Sequence, residues 1–146
     1  MANWVEGKIG IKGKYEDLKN FLLNGLKLDD EETKKVSKVL DEKAKVLRVI
    51  GATAETVLLI DDTYHFMPWQ GDDIEINVSA DGLNFSVVME MMVKCEIRAG
   101  ELLDVAKKYQ LDIRATGDNI DEEEHQDIII KDGKIEKDER FSLDDF

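Results

Sequence analysis

The first 26 residues combine a strand pattern, a glycine turn and a helix pattern, and this order constrains the fold more than any other stretch. Apolar residues alternate with polar residues or glycine at Val5, Ile9 and Ile11. This period of two predicts a strand with one buried side, ended by Gly13. Apolar residues then recur at helical spacing at Tyr15, Leu18, Phe21 or Leu22, and Leu26. The second pattern predicts an amphipathic helix.

The length and composition are typical of one soluble globular domain. We expect a single domain over residues 1–146, long enough to bury its own core. The lone cysteine, Cys95, cannot form an internal disulfide, which fits a reducing compartment. We expect no signal peptide, because no basic region followed by an apolar run opens the chain. No apolar segment approaches the roughly 20 residues that span a bilayer. The predicted location is the cytoplasm, with no membrane partner.

Charge is distributed unevenly along the chain. The net charge is −13, from 20 basic and 33 acidic side chains. Residues 1–59 carry 11 basic and 10 acidic side chains, whereas residues 60–146 carry 9 basic and 23 acidic ones. An acidic surface repels a phosphate backbone, which argues against direct nucleic-acid binding. Solubility is the simplest explanation of the charge, and a basic partner for the acidic half is the alternative.

The middle of the chain is predicted to alternate between helix and strand. Residues 29–45 are predicted as a helix, because acidic residues suit its first turn and Val36, Val39 and Leu40 fall at helical spacing. Val46–Ile50 favours a strand, with extension of the helix as the alternative. Residues 55–60 predict a further strand. Residues 63–73 contain the only proline and predict a loop with exposed aromatic side chains.

The second half is predicted to hold two hairpins and a helix. Residues 72–79 and 83–91 alternate on either side of an Asp-Gly turn, which predicts an open hairpin that could pair edge to edge. Ala99–Tyr109 has the pattern of an amphipathic helix. Strands are then predicted at residues 111–115 and 127–130, with a turn over residues 117–124 between them. Asp132 and Gly133 predict a tight turn into a last strand.

This order of elements predicts an α+β fold. Helices would pack on one face of a largely antiparallel sheet. The skeleton corresponds to an elaborated ferredoxin-like, βαββαβ-derived core with an insertion after the first helix and an added C-terminal hairpin.

Several short stretches resemble small phage and prophage proteins of the YubB-type ferredoxin-like domain family. In the first half they are Asn3-Trp4, the glycines Gly7 and Gly13, and the helix end from Phe21 to Leu26. In the second half they are Lys108-Tyr109-Gln110-Leu111-Asp112-Ile113-Arg114 and Gln126-Asp127-Ile128-Ile129-Ile130 with the following Gly133. Related chains often carry a Gly-Thr-Arg-Arg segment in the middle, which this chain lacks. The resemblance implies a phage or mobile-element origin, and hence a host-cell cytoplasm, but no reaction.

No residue set has the pattern of a catalytic or metal site. Asp61 and Asp62 end an apolar strand, where carboxylates commonly bind divalent metals, but no further ligands follow at a recognised spacing. Solvated turn residues are the simpler interpretation. Cys95 follows an apolar strand and is expected to pack in the core. We therefore predict a non-enzymatic protein with no cofactor and no metal.

Three groups of residues are candidates for binding. Tyr64, His65, Phe66 and Trp69 form an aromatic, polar-tipped group of the kind used in contacts, although packing over the sheet edge is the alternative. Arg114 lies within a strand, where an ion pair with a neighbouring carboxylate competes with an anion or nucleotide contact. The third group is the acidic run of Asp121, Glu122, Glu123 and Glu124.

These features predict a phage-derived binding protein acting in counter-defence or host takeover. Its acidic half would mimic a nucleic-acid backbone and block a host protein with a basic surface. One alternative is sequestration of a small nucleotide signal in a pocket between subunits. Another is an accessory phage protein with no host target. A homodimer is also predicted as possible, through the open hairpin.

Overall fold

The computed structural model describes residues 3–28, 37–50, 58–60, 63, 65–67 and 74–142. Most of these residues lie in antiparallel β-strands. The strands, numbered in chain order, are β1 (Trp4–Gly13), β2 (Leu26–Leu28), β3 (Ser37–Asp41), β4 (Val46–Ile50), β5 (Leu58–Ile60), β6 (His65–Met67), β7 (Ile74–Asn77), β8 (Ser79–Asp81), β9 (Asn84–Lys94), β10 (Asp112–Asn119), β11 (Glu124–Lys131) and β12 (Lys134–Ser142). The helices are α1 (Tyr15–Asn20), which continues into the π-helical turn Phe21–Gly25, and α2 (Ala99–Tyr109).

Nine of these strands form one large antiparallel sheet. Its order is β12-β11-β10-β1-β9-β6-β5-β2, and β8 pairs with the start of β9. The central strand β1 pairs with β9 along one side and with β10 along the other, so that Ile9 lies opposite both Met89 and Ala115. Helix α2 connects β9 to β10 and so crosses over β1.

One face of the large sheet is packed. Helix α1 contacts β1 and β9, and α2 contacts β10, β11 and β12. The remaining strands form a three-stranded sheet, β3-β4-β7, whose Leu47 and Ile74 belong to the same buried cluster as Ile9. On the opposite face of the large sheet, Val88 and Arg114 are exposed. We call this opposite side the open face.

A lysine from the small sheet closes the end of the first helix. The Nζ atom of Lys38 donates hydrogen bonds to the carbonyl oxygens of Leu22 and Leu23, each at 3.0 Å, and also to that of Leu26. A helix end leaves such carbonyls without intrahelical partners, so the ammonium satisfies them. Burial lowers the pKa of Lys38, and neighbouring Lys27 lowers it further. Lys38 therefore joins β3 to the helix.

The prediction of an α+β, elaborated ferredoxin-like fold is wrong. Antiparallel strands dominate the described residues, in one nine-stranded and one three-stranded sheet, and their α-helices are two short ones. The difference arises between the first helix and β9. There the sequence predicted a helix over residues 29–45 beside strands at residues 46–50, 55–60 and 72–79, whereas the described residues form the seven short strands β2 to β8. The protein has a β-rich fold.

The prediction of a helix over residues 29–45 is also wrong for the residues that the structure describes. Ser37–Asp41 is β3, paired with β4, and residues 29–36 lie outside the described residues. Val39 lies opposite Arg48 and is largely exposed, because strand pairing directs it away from the core. Arg48 in turn pairs with Asp41 at 3.0 Å and Glu75 at 3.5 Å, which links all three strands of the small sheet.

The predicted hairpin over residues 72–91 is much shorter than expected. Its turn is confirmed, since Gly82 has a φ of 63° and Asp81 pairs with Asn84. However, the N–H of Val78 donates to the carbonyl oxygen of Lys45 at 2.8 Å, and β7 pairs with β4 instead of β9. Strand β9 lies inside the sheet, with β1 on one side and β6 and β8 on the other. The open edge predicted for this hairpin is therefore wrong, and the homodimer stays a prediction.

Other local predictions are confirmed. Strand β1 ends at Gly13 and is followed by α1, Val46–Ile50 is a strand, and α2 has the predicted bounds. Residues 58–60 form β5, whereas residues 55–57 lie outside the described residues. Strand β10 is longer than predicted and confines the following turn to residues 120–123. Asp132 and Gly133, with φ of 52° and 73°, form the turn between β11 and β12. No helix among the described residues is long and apolar enough to cross a membrane.

Candidate functional site

The turn between β10 and β11 carries three exposed carboxylates beside an exposed isoleucine. Asp121, Glu122 and Glu123 are exposed, and Ile120 is 69% exposed. Glu124 follows, half-buried, as the first residue of β11. The acidic run predicted as a binding candidate is thus held at one end of the large sheet.

Hydrogen bonds fix the conformation of this turn. The side-chain oxygen of Asn119 accepts the N–H of Glu122 at 3.1 Å, and the N–H of Glu123 donates to the carbonyl oxygen of Ile120 at 3.2 Å. Asn119 is buried, and its amide nitrogen donates to the carbonyl oxygen of Cys95 at 3.2 Å. The turn is therefore anchored to the segment that connects β9 to α2.

Neighbouring groups contact several of the carboxylates at this end. Arg140 lies with Nε 3.6 Å from Glu124 and also contacts Glu96. The Nδ1 atom of His125 lies 2.6 Å from a carboxylate oxygen of Asp118. We define the acidic end by Glu96, Asp118, Ile120, Asp121, Glu122, Glu123 and Glu124.

An aromatic pair lies at the same end of the sheet. Trp4 and Phe66 pack edge to face with ring centroids 6.5 Å apart, and both are half-buried. The amide of Asn3, which precedes Trp4, donates to a carboxylate oxygen of Glu122 at 3.3 Å. The start of β1 therefore connects the aromatic pair to the acidic turn. Trp4 and Ile120 were not predicted as contact residues from the sequence. The alternation of β1 does place Trp4 on the face opposite to the buried Val5.

The prediction that His65 is an exposed contact residue is wrong. His65 lies in β6, is fully buried, and its Nε2 accepts the backbone N–H of Arg98 at 3.1 Å. That bond assigns the ring proton to Nδ1, which lies 3.8 Å from a carboxylate oxygen of Glu101. Burial lowers the pKa of His65 to about 4, and the positive charge of Arg98 adds to this effect. The imidazole is neutral at physiological pH and serves packing.

Of the other residues in the predicted aromatic group, only Phe66 lies among the described residues. Phe66 belongs to the aromatic pair at the acidic end, and residues 65–67 form strand β6 instead of a loop. Tyr64 and Trp69 lie outside the described residues.

Of the two roles considered for Arg114, the structure shows the ion pair with a neighbouring carboxylate. The Nη2 atom of Arg114 lies 3.5 Å from a carboxylate oxygen of Asp127, and that same oxygen accepts a 2.8 Å hydrogen bond from Lys137. Lys137 holds the pKa of Asp127 below its usual value, with a smaller contribution from Arg114. Arg114 nevertheless stays 64% exposed on the open face. Ile120 follows it by six residues, or about 20 Å of extended chain, so Arg114 lies away from the turn that carries the acidic run.

Cys95 and the carboxylates were also considered as candidate reactive or metal-binding groups. Cys95 is exposed, contrary to the prediction, because its backbone takes a φ of 71° as β9 ends and its N–H donates to Asn3. Among the described residues, no group of three or more His, Cys, Asp or Glu side chains is arranged to hold a metal ion. Asp61 and Asp62 lie outside them.

Comparison of the chain with protein-family models, with curated proteins and with solved structures finds no match in any of the three.

Proposed function

We propose that this chain is a non-enzymatic binding protein of phage or prophage origin whose acidic end blocks a basic surface of a host protein. The observation that carries the proposal is the hydrogen-bonded turn that presents Asp121, Glu122 and Glu123 around the exposed Ile120. The phage origin rests on the sequence resemblance.

The arrangement has the chemistry of an interface centre with a charged rim. Burying an isoleucine side chain contributes about 1.5–3 kcal/mol, which suits Ile120 as an anchor. The carboxylates around it would steer a basic partner towards the surface and exclude acidic ones. The aromatic pair of Trp4 and Phe66 extends the same end with side chains that are enriched at interfaces.

The fixed geometry of the turn supports binding without a large ordering cost. Asn119 is buried and bonds both to the turn and to the segment after β9, so the backbone that carries the carboxylates is held in place before a partner arrives. Preorganisation of this kind retains binding free energy that a flexible acidic tail would lose.

The experiment is a pull-down from host lysate with the tagged protein at low and high salt. The test variant is Asp121→Asn, Glu122→Gln, Glu123→Gln, and the matched control is Glu90→Gln, Asp104→Asn, Glu136→Gln. Both variants remove three exposed carboxylates, so they have the same net charge. We expect the wild type and the control to capture the same basic protein at low salt and release it at high salt. Equal capture by the test variant would refute the proposal.

A further inference from the structure

A shallow groove of about 320 Å³ crosses the open face of the large sheet. Its floor is a row of directly paired residues on four neighbouring strands, in the order Ile129, Arg114, Gly10 and Val88. Paired residues on neighbouring strands point to the same face, so the lack of a side chain at Gly10 leaves a dent between Arg114 and Val88. Val88 is 66% exposed and forms an apolar wall of the dent, and Arg114 forms the opposite wall, with the half-buried Ile129 beyond it.

The dent at Gly10 is not forced by packing. A Cβ atom at Gly10 would lie no closer than 3.9 Å to any neighbour, whereas one at Gly7 would lie 1.8 Å from the carbonyl oxygen of Thr116. Gly7 is therefore required by the approach of β1 to β10. Gly10 is not required in this way, since a Cβ there would meet its neighbours only at ordinary van der Waals distance, and β-branched residues are enriched in strands.

The groove is cationic in a strongly acidic protein. Its charged lining residues are Lys12, Arg114 and Lys131 against the single carboxylate of Asp112. Asp112 accepts a hydrogen bond from the backbone N–H of Asp132 at 3.1 Å, which occupies part of its acceptor capacity. The lining thus carries a formal charge of +2, from three basic side chains and one acidic one, while the whole chain carries −13.

Arg114 is placed to contact a ligand in this groove. The carboxylate oxygen of Asp127 that it approaches at 3.5 Å is already bonded to Lys137 at 2.8 Å. A guanidinium has five donors and a flat face, and the Asp127 contact engages one of its nitrogens at the limit of hydrogen bonding. An oxygen that carries more negative charge or is better oriented would therefore compete well for the same side chain.

We propose that this groove binds a small anion that carries a planar apolar ring. The ring lies on the backbone of Gly10 between Val88 and the guanidinium of Arg114, and the anionic group is held by Arg114, Lys12 and Lys131. A mononucleotide and an aromatic carboxylate share this chemistry. The site is separate from the turn that carries the acidic run, because Ile120 follows Arg114 by six residues, or about 20 Å of extended chain.

The experiment is a fluorescence titration with 1-anilinonaphthalene-8-sulfonate, an aromatic anion. Saturable binding to the wild type is expected. Gly10→Val fills the dent and should weaken binding at least about tenfold without lowering the melting temperature. Arg114→Gln should weaken binding by a similar factor. The control is Lys8→Gln, which removes an exposed cation from the same strand but from outside the groove and should change binding less than about twofold.

Competition then distinguishes the two ligand classes. Displacement of the dye by AMP supports a nucleotide ligand, and displacement by indole-3-acetate alone supports an aromatic carboxylate. Equal displacement by inorganic phosphate would show that the groove responds to charge without a ring, which contradicts the proposal. The proposal is also overturned if Gly10→Val and Arg114→Gln bind as the wild type does, or if the wild type shows no saturable binding up to about 1 mM.

Discussion

The backbone N–H of Arg98 donates a 3.1 Å hydrogen bond to Nε2 of His65, and this bond ties β6 to the start of helix α2. The backbone N–H of His65 in turn donates to the hydroxyl of Thr63 at 3.1 Å. A histidine that is fully buried thus acts as a hydrogen-bond acceptor for a helix terminus, 33 residues further along the chain.

Removal of this imidazole should destabilise the fold. His65→Ala leaves a cavity and an unpaired N–H at Arg98, so we expect the free energy of unfolding to fall by about 3 kcal/mol. Urea unfolding followed by circular dichroism measures this. The chain's other histidine, His125, is the control, because it is only half-buried at the end of the sheet. His125→Ala should cost less than about 1 kcal/mol, and equal losses would contradict the assigned role of His65.

The low pKa of His65 also predicts a pH dependence of stability. Its pKa is about 4 in the folded protein and about 6.5 in the unfolded chain. Between these values the unfolded state binds the extra proton, so stability should decrease as the pH falls from about 6.5 to 4, by up to about 3 kcal/mol. Above this window the effect should vanish.

The control for the pH effect is His65→Leu, measured by urea unfolding across the same range. Carboxylates such as Asp127, whose pKa is lowered by Lys137, lose their contribution at the acidic end of the range in both proteins. The difference between wild type and variant therefore isolates the histidine. Identical slopes from pH 6.5 to 4.5 in the two proteins would show that His65 does not resist protonation.

Loss of the contact between Lys38 and the end of the first helix should lower the free energy of unfolding. Lys38→Met retains the length of the side chain but leaves the carbonyls of Leu22, Leu23 and Leu26 without their donor. We expect a loss of about 1–3 kcal/mol in the free energy of unfolding. Lys43→Met is the matched control, because Lys43 is exposed in the turn between β3 and β4. If both variants unfold at the same urea concentration, the helix end does not depend on Lys38.

Gly7 and Gly10, two of the three glycines of β1, should respond in opposite ways to the same substitution. Gly7→Ala forces a Cβ to within 1.8 Å of the carbonyl oxygen of Thr116, so β1 and β10 must separate. We expect a loss of more than about 2 kcal/mol. Gly10→Ala places its Cβ at ordinary van der Waals distance, 3.9 Å from the carbonyl oxygen of Arg114, and should leave stability unchanged or raise it by up to about 1 kcal/mol. Thermal melting of both variants tests this, and a stable Gly7→Ala variant would contradict the register of β1 and β10.

Local patterns in the sequence predicted the elements whose partners are close in the chain. Helix α2 has an uninterrupted apolar stripe that includes Leu102, Val105 and Tyr109, and all three are buried as predicted. The turn at Asp132 and Gly133 joins strands that pair directly, so the sequence signal and the structure agree.

The errors come from pairings between distant residues. Val36, Val39 and Leu40 have helical spacing, but pairing with β4 makes residues 37–41 a strand. Residues 74–77 alternate as a strand, but their partner is β4 because Val78 bonds to Lys45, and the sequence gives no sign of that contact. His65 was expected in an exposed loop because residues 63–73 are irregular and contain the only proline. Its acceptor role depends on Arg98, which no local pattern links to it.

The candidate site was predictable in its charge but not in its geometry. The acidic run of Asp121 to Glu124 is evident in the sequence. The buried anchor Asn119 and the exposure of Ile120 are not, because both depend on where β10 ends. Arg114 was identified from its position in a strand, whereas the dent beside it depends on the register of β1 with β9 and β10.

The most direct test of the proposed function is site-specific photocrosslinking in host lysate. A p-benzoylphenylalanine is placed at Ile120 in one protein and at Leu83 in another, since both are exposed apolar residues in tight turns, 69% and 96% exposed respectively. The proposal predicts that the probe at position 120 crosslinks a basic host protein and the probe at position 83 does not. It also predicts that Asp121→Asn, Glu122→Gln, Glu123→Gln abolishes the crosslink. Equal crosslinking from both positions, or none from position 120, would contradict the acidic end as the binding surface.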